Sequence, residues 1–502
     1  MNLHTPSRRA VLGTVGAAAT VIGWNATTGS WAWAADSARR PGDQVVPVPD
    51  LDGTLTTDTS QFDSYAHDFG RLVTGTVPWA VLTPGSVQDI AKMIGYARTN
   101  GLKLAVNGRG GTGGDLESHS CYGQAAVSGG ISVNARGMAR ILSTGSDSVT
   151  VETGATWAEI TDHLLPRGRT LPALPDYLRL SVGGTISVGG IGLTMGTEGL
   201  VADNVRSMVV VTGTGEVVTT SPSRRPELFR TALAGGGQVG VIVQVTLRTV
   251  RAAERATVFS LFYNDVASFM EDSEILLADH RFQMQGGEMV RRPDDSGWRY
   301  KIEAVATYSG GQVPDRAQLL RGLRDVRADA HIDDFALRDY LFRVDGFEAY
   351  LKDAGHWYQP KPWLSLFLPR SSAARFLRLA EAELTPDGLG AGALLSYPYL
   401  TSNVTAPMAV QPTERVGYLF DLLRFPHPGT GADDISRMVQ QNRWLYDRAV
   451  EMGGKRYLVG AVPGLTNADW RRHFGPAYRA LSEAKRRFDP GNVLTPGQGF
   501  FD

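Results

Sequence analysis

The stretch 107–124 reads N-G-R-G-G-T-G-G-D-L-E-S-H-S-C-Y-G-Q, and it limits this chain more than any other feature. Gly108, Gly110, Gly111, Gly113 and Gly114 fall within eight residues. Such a run makes neither a helix nor the interior of a strand, because each glycine loses backbone entropy on folding and gives nothing to pack. It does offer positive φ and bare N–H groups that approach a ligand closely, so a glycine run after a strand is a candidate anion nest. A second set, S-V-G-G-T-I-S-V-G-G-I-G, follows at 181–192, preceded by Pro175, Asp176 and Tyr177. Two glycine loops around one histidine, His119, and one carboxylate, Asp176, suggest a dinucleotide held along its length.

The surrounding pattern places these loops. Residues 79–82 read as a strand. Ser86 to Asp89 has capping-box spacing and opens a helix with Ile90, Met93, Ile94 and Ala97 on its apolar face and Gly101 as its stop. Residues 103–106 form a strand that delivers the chain into the first glycine loop. No helix pattern follows those glycines, so this is not the fingerprint of the doubly wound fold. Residues 148–153 alternate as a strand and 157–165 are helical. The second glycine stretch, 183–199, reads as a loop. A hairpin spans 205–220 and a β-branched strand 239–245. From about 251 to 452 strands alternate with amphipathic helices, including 371–384 and 435–452, and read as a second domain.

Ser7-Arg8-Arg9-Ala10-Val11-Leu12 is a twin-arginine pattern. The apolar run behind it is shorter than the roughly 20 residues that span a bilayer. Ala32-Trp33-Ala34 fits an A-x-A cleavage site, so 1–34 reads as a signal peptide and the protein as exported, periplasmic or extracellular. Residues 35–60, rich in Pro, Asp, Thr and Ser, read as a linker. Cys121 is the one cysteine, which excludes an internal disulfide and a cysteine-based metal site. A net charge of −1 gives no reason to expect nucleic acid or a stable hold on an anionic membrane.

Five phrases in chain order carry a family resemblance. They are Gly108-Arg109-Gly110 with His119-Ser120-Cys121-Tyr122-Gly123-Gln124; the run 176–187, D-Y-L-R-L-S-V-G-G-T-I-S; the run 237–242, G-Q-V-G-V-I; the tryptophan- and proline-rich 355–369; and the tail phrases 469–475 and 489–498. The chain resembles the flavoproteins of the vanillyl-alcohol-oxidase type, with a PCMH-type FAD-binding domain, and within them the cytokinin dehydrogenases. The resemblance implies an α+β protein: a two-subdomain FAD-binding domain at 61–250, an inserted substrate domain of antiparallel sheet plus helices at 251–452, and a return to the FAD-binding domain at 453–502. It implies FAD joined covalently through its 8α-methyl to His119. Gly108, Arg109 and Gly110, then Ser120, Gln124, Ser181, Ser187, Ile191 and Ile242, match the family's FAD-binding stretches, as do Tyr457, Thr495 and Gln498 from the tail. Asp176, beside the cofactor, matches the catalytic acid/base. No metal is implied.

The implied reaction is oxidation of the C–N bond of a secondary amine such as N6-isopentenyladenine. Hydride passes to flavin N5, Asp176 takes the N–H proton, and oxygen or a quinone reoxidises the flavin. Burial of Asp176 between Pro175 and Tyr177 in apolar surroundings would raise its pKa and suit it to proton transfer. The alternative is a berberine-bridge-like oxidase of alcohols or carbohydrates with the same covalent flavin. Two departures stand out. Residues 111–118 are inserted between G-R-G and H-S, and the stretch 397–403 lacks the tryptophan of the plant cytokinin enzymes.

Overall fold

The computed structural model describes residues 21–33, 45–114 and 116–501. The helix expected after Ser86 is present as Val87–Thr99. The Ser86 hydroxyl caps it by accepting from the Asp89 N–H, and Ile90, Met93, Ile94 and Ala97 are buried. Spacing of three and four residues puts those side chains on one face. That face packs on a four-stranded sheet ordered Thr54–Thr56, Ala80–Thr83, Ile131–Asn134, Leu104–Asn107. The first pair is antiparallel and the other two are parallel. A second, antiparallel sheet runs Val217–Thr220, Val205–Thr212, Gly240–Arg248, Ser148–Glu152, Ile141–Thr144.

The later part of the chain forms an eight-stranded antiparallel sheet. Its order is His331–Ala336, Arg255–Tyr263, Trp298–Tyr308, Met284–Arg291, Ala393–Leu400, Val416–Leu423, Leu364–Pro369, Lys455–Gly460. Alternation along Val416–Leu423 decides what each face meets. Tyr418, Phe420 and Leu422 enter a core shared with the helices Val266–Asp279, Arg370–Glu383 and Ala432–Glu451. Leu419 enters the core shared with the FAD-binding region, along with Phe367, Tyr397 and Tyr399. The sheet is therefore a wall between its own helices and the glycine loops.

Three expectations are corrected. The stretch 183–199 is not all loop: Val182–Val188 and Met195–Glu198 are short helices, because burying Val182, Ile186 and Met195 outweighs the poor helix propensity of the glycines. Residues 45–60 are not a free linker. Thr54–Thr56 is the edge strand of the first sheet, and Val46, Val48, Leu51 and Leu55 pack against its core. The return at 453 comes too early, since Lys455–Gly460 still pairs with Leu364–Pro369 in the substrate sheet.

The twin-arginine residues and Ala34 lie outside the described residues. The end of the expected signal segment does not: Val21–Asn25 and Ser30–Trp33 form a hairpin. Trp24 is buried in the first core, stacked on Trp79 at 5.0 Å and edge-on to Trp31 at 5.3 Å. In the full-length, uncleaved chain Trp24→Ala is expected to cost about 3 kcal/mol in urea titration, as truncations of buried tryptophan do. An unchanged midpoint would mean that the hairpin adds no stability. Among the described residues no helix is long and apolar enough to cross a membrane.

Candidate active site

The glycines at 108 and 110 serve close approach of two chain segments. A Cβ on Gly108 would lie 1.9 Å from Ser181 Oγ, and one on Gly110 would lie 2.4 Å from the Arg179 carbonyl oxygen. The first glycine loop is thereby pressed onto the segment that carries Asp176. Other contacts draw in the remaining expected residues. The Gly190 N–H donates to the Tyr457 hydroxyl at 3.0 Å, and Gln124 Nε2 donates to the Leu458 carbonyl. Thr495 Oγ1 donates to the Gly237 carbonyl at 3.1 Å, and Thr153 Oγ1 to that of Ile242 at 2.6 Å. Ser187 Oγ donates to the Gly183 carbonyl at 2.7 Å, and Ile191 packs at the edge of the same core. Segments far apart in the chain thus converge on one place. The Arg109 side chain is committed elsewhere: its guanidinium lies 4.3 Å over the Tyr65 ring and donates to the Leu116 carbonyl.

His119 stacks on Phe69 at 4.6 Å, with Tyr177 at 5.3 Å and Trp357 at 5.8 Å. Desolvation, only partly offset by the charge of Glu348, pulls the imidazole down to about 3, so it is neutral at ordinary pH. Part of the residue remains open, yet its Nε2 is buried without a hydrogen-bond partner. Both amide atoms of Gln498 are likewise buried and unpartnered. Buried polar atoms normally find partners. That His119 and Gln498, both expected at the cofactor, do not find theirs among the described residues fits a bound FAD that completes them.

Ser120 Oγ donates to Asp68 Oδ2 at 3.3 Å, and the Gly123 N–H to the same oxygen at 2.7 Å. Burial pushes the Asp68 carboxyl up to about 6 against those hydrogen bonds. Nearby, Lys361 is fully buried and donates to the Phe69 carbonyl at 2.8 Å, with burial pulling its ammonium down to about 7. Cys121 is buried beside them, and burial raises its thiol.

Asp176 is not in the apolar surroundings expected of it. Its side chain is 37% exposed, and Oδ1 accepts from Arg343 Nη2 at 3.0 Å. Arg343 opens the helix Arg343–Asp353 of the substrate domain. It also faces Glu303 at 3.7 Å, and the Tyr340 hydroxyl donates to that carboxylate at 2.8 Å. Asp176 and Arg343 line a cavity of about 380 Å³, together with Pro175, Leu193, Phe282 and Met284. Volumes from about 300 Å³ suit small ligands. Residues of both domains form the walls.

Sequence reading missed a second carboxyl. Asp421 lies opposite Ser365 and Leu395 in register, on the sheet face that turns Leu419, Phe367 and Tyr397 to the FAD-binding region. Burial, and to a lesser degree the charge of Asp176, push it up to about 7, while a hydrogen bond from Ser365 Oγ works the other way. Its charge also reaches Tyr397 and Tyr457. The available signal was the alternation in 416–423, which puts one acid on an otherwise apolar face. Tyr397, buried and within the field of both carboxylates, supplies an aromatic ring in the stretch that lacks the tryptophan. A carboxyl raised by folding favours the native state while both states hold the proton. That stability is lost as pH rises through the unfolded value toward the folded one. Wild-type urea midpoints are therefore expected to fall between about pH 4 and 7 relative to those of Asp421→Asn. Parallel pH profiles would show that the carboxyl is already ionised in the native protein.

Comparison with known proteins places the chain among FAD-binding oxidoreductases. Residues 78–221 match the family described as "FAD binding domain", and residues 288–501 match "Cytokinin dehydrogenase 1, FAD and cytokinin binding". The chain is 33% identical to the "Uncharacterized oxidoreductase ORF5 in fasciation locus" of Rhodococcoides fascians, over 89% of this chain and 99% of that protein. It is 32% identical to cytokinin dehydrogenase 8 of Oryza sativa subsp. indica, over 92% and 93%. To cytokinin dehydrogenase 2 of Arabidopsis thaliana it is 29% identical, over 90% and 94%.

Proposed function

The chain belongs to the cytokinin dehydrogenase family of FAD-binding oxidoreductases, and on that premise we propose that it oxidises the C–N bond of a secondary amine of the N6-isopentenyladenine type. One observation carries the assignment of the base: Asp176 sits at an interdomain cavity with one carboxylate oxygen held by Arg343. Arg343 fixes Oδ1, and Oδ2 has no hydrogen bond among the described residues. A carboxylate with one fixed and one open oxygen is arranged to accept the N–H proton of a bound amine. The hydride acceptor is supplied by bound FAD at its N5. Loss of that hydride and proton turns the amine into an imine, which water cleaves to a primary amine and an aldehyde. Glycines 108 and 110, Ser120, Gln124, Ser181, Ser187, Ile191, Ile242, Tyr457, Thr495 and Gln498 would line the cofactor. Arg109 would take part through its backbone. His119, neutral and with a buried Nε2 that has no hydrogen-bond partner among the described residues, is suited to carry the covalent bond to the 8α-carbon. The reduced cofactor would pass its electrons to dioxygen or a quinone.

The test is anaerobic addition of N6-isopentenyladenine to the purified yellow protein. Bleaching of the flavin supports amine oxidation. A flavin that stays yellow rejects this substrate class and directs the search to alcohols and carbohydrates. Export by the twin-arginine route is part of the same proposal, resting on Ser7-Arg8-Arg9. Replacing Arg8 and Arg9 together by lysine is expected to hold the protein in the cytoplasm on cell fractionation. Undiminished export would discard the signal.

A further inference from the structure

The described residues of the inserted segment, 111–114 and 116–118, have no part in the reaction just described, yet they are held at both ends. Its neck is closed by a bridge between Gly110 and Glu117, by Glu117 pairing with Arg71 at 2.8 Å, and by Arg109 donating to the Leu116 carbonyl. Its tip is pinned from the other domain by Glu348, on the helix Arg343–Asp353. The Glu348 carboxylate is buried and fully used. Oε1 accepts from the Thr112 N–H at 3.0 Å, from Thr112 Oγ1 at 2.7 Å and from Lys352 Nζ at 3.0 Å. Oε2 accepts from the Tyr177 hydroxyl at 2.7 Å. Lys352 reinforces the tip by donating to the Thr112 carbonyl at 2.9 Å. His119 lies between the two things Glu348 holds. A Cβ on Gly111 would lie 3.6 Å from its Nε2, and the Tyr177 ring stands 5.3 Å from its own.

We propose that Glu348 is a positioning residue for the flavin linkage: its carboxylate clamps Thr112 and Tyr177 around His119, holding the imidazole aimed and dry. The inference rests on the reading that His119 carries the flavin. Joining His119 to the 8α-carbon makes one N–C bond and breaks one N–H and one C–H bond. Two protons leave to water, and two electrons leave through the ring to dioxygen, giving hydrogen peroxide. The nitrogen must bring a lone pair, so a protonated imidazole is inert. Water exclusion by the clamp keeps His119 neutral far below its ordinary value. The charged and titratable groups around it are Glu348, Lys361, Lys352 and Tyr177. Burial raises the Glu348 carboxyl, but its hydrogen bonds outweigh burial and keep it below the usual range, so the clamp stays charged.

The experiment compares the wild type with Glu348→Gln, and with Thr112→Val and Tyr177→Phe, which each remove one side-chain hydrogen bond to the carboxylate and leave it in place. The readout is the share of bound flavin that stays with acid-precipitated protein, after maturation with FAD in air at pH 5.5 and at pH 8. Normalising to bound flavin removes any general loss of folding. The wild type is expected to link equally at both pH values. Glu348→Gln is expected to link about tenfold less at both pH values, because it loosens the clamp while also removing the charge that raises the imidazole. Each single-arm variant should show a smaller loss of the same sign. If Glu348→Gln does not fold, the two arm variants decide the matter. Variants that link as fully as wild type at both pH values would overturn the clamp while leaving the His119 linkage standing. Wild-type flavin that washes out in acid would remove the linkage reading, and the clamp with it.

Discussion

Asp176→Asn is expected to slow anaerobic reduction of the flavin by N6-isopentenyladenine by about 100-fold or more, the usual contribution of a positioned base. The substitution keeps the size and shape of the side chain and removes only the ability to take a proton. Arg343 loses one anionic partner but still faces Glu303 at 3.7 Å, so its charge is not stranded. Bound flavin and the melting midpoint should therefore change little, and the loss should sit in the reduction rate. An unchanged rate would take Asp176 out of the mechanism and turn attention to Asp421, the other carboxyl on that side of the sheet.

The second large effect is expected at His119. In His119→Ala, acid precipitation should leave the flavin in the supernatant, with at least about a tenfold drop in pelleted colour, because among the described residues no other nucleophile stands in the stacked position between Phe69 and Tyr177. The variant should also lose about 1 kcal/mol of stability with the stacking on Phe69. FAD should still bind, since the glycine loop, the 181–192 segment and the tail are untouched. Flavin that still pellets would place the bond elsewhere. Cys121, the one thiol, is buried with its pKa raised, which makes it a poor nucleophile.

The legible parts of this protein share a property: their signal lies within a few neighbouring residues. Glycine runs announce tight approach wherever they occur, and Gly108 and Gly110 indeed press against Ser181 and Arg179. The helix after Ser86 was written in its cap and its three-four spacing. The two-part architecture followed from the change of pattern near 251 and from motifs matching a known family, which comparison with its members supports. Errors arose where composition stood in for pairing. Residues 45–60 are polar, but an edge strand needs only one apolar face, and Leu55 supplies it. Asp176 was placed in apolar surroundings because Pro175 and Tyr177 flank it in the chain. Its actual partner, Arg343, lies 167 residues away.

The sequence by itself determined the chemistry on offer: the glycine loops, one histidine in a family phrase, one aspartate before the second loop, and an α+β frame to carry them. These are local facts, set by backbone freedom and side-chain type. Only the tertiary structure decided the surroundings that tune that chemistry. The helix Arg343–Asp353 brings Arg343 to Asp176, Asp345 to Arg179, and Glu348 to both Tyr177 and Thr112. Helical periodicity in the sequence can put Asp345 and Glu348, three apart, on one face, but not show what that face will meet. Electrostatic partners act through space over a few ångströms, and folding, not sequence spacing, decides which groups come that close.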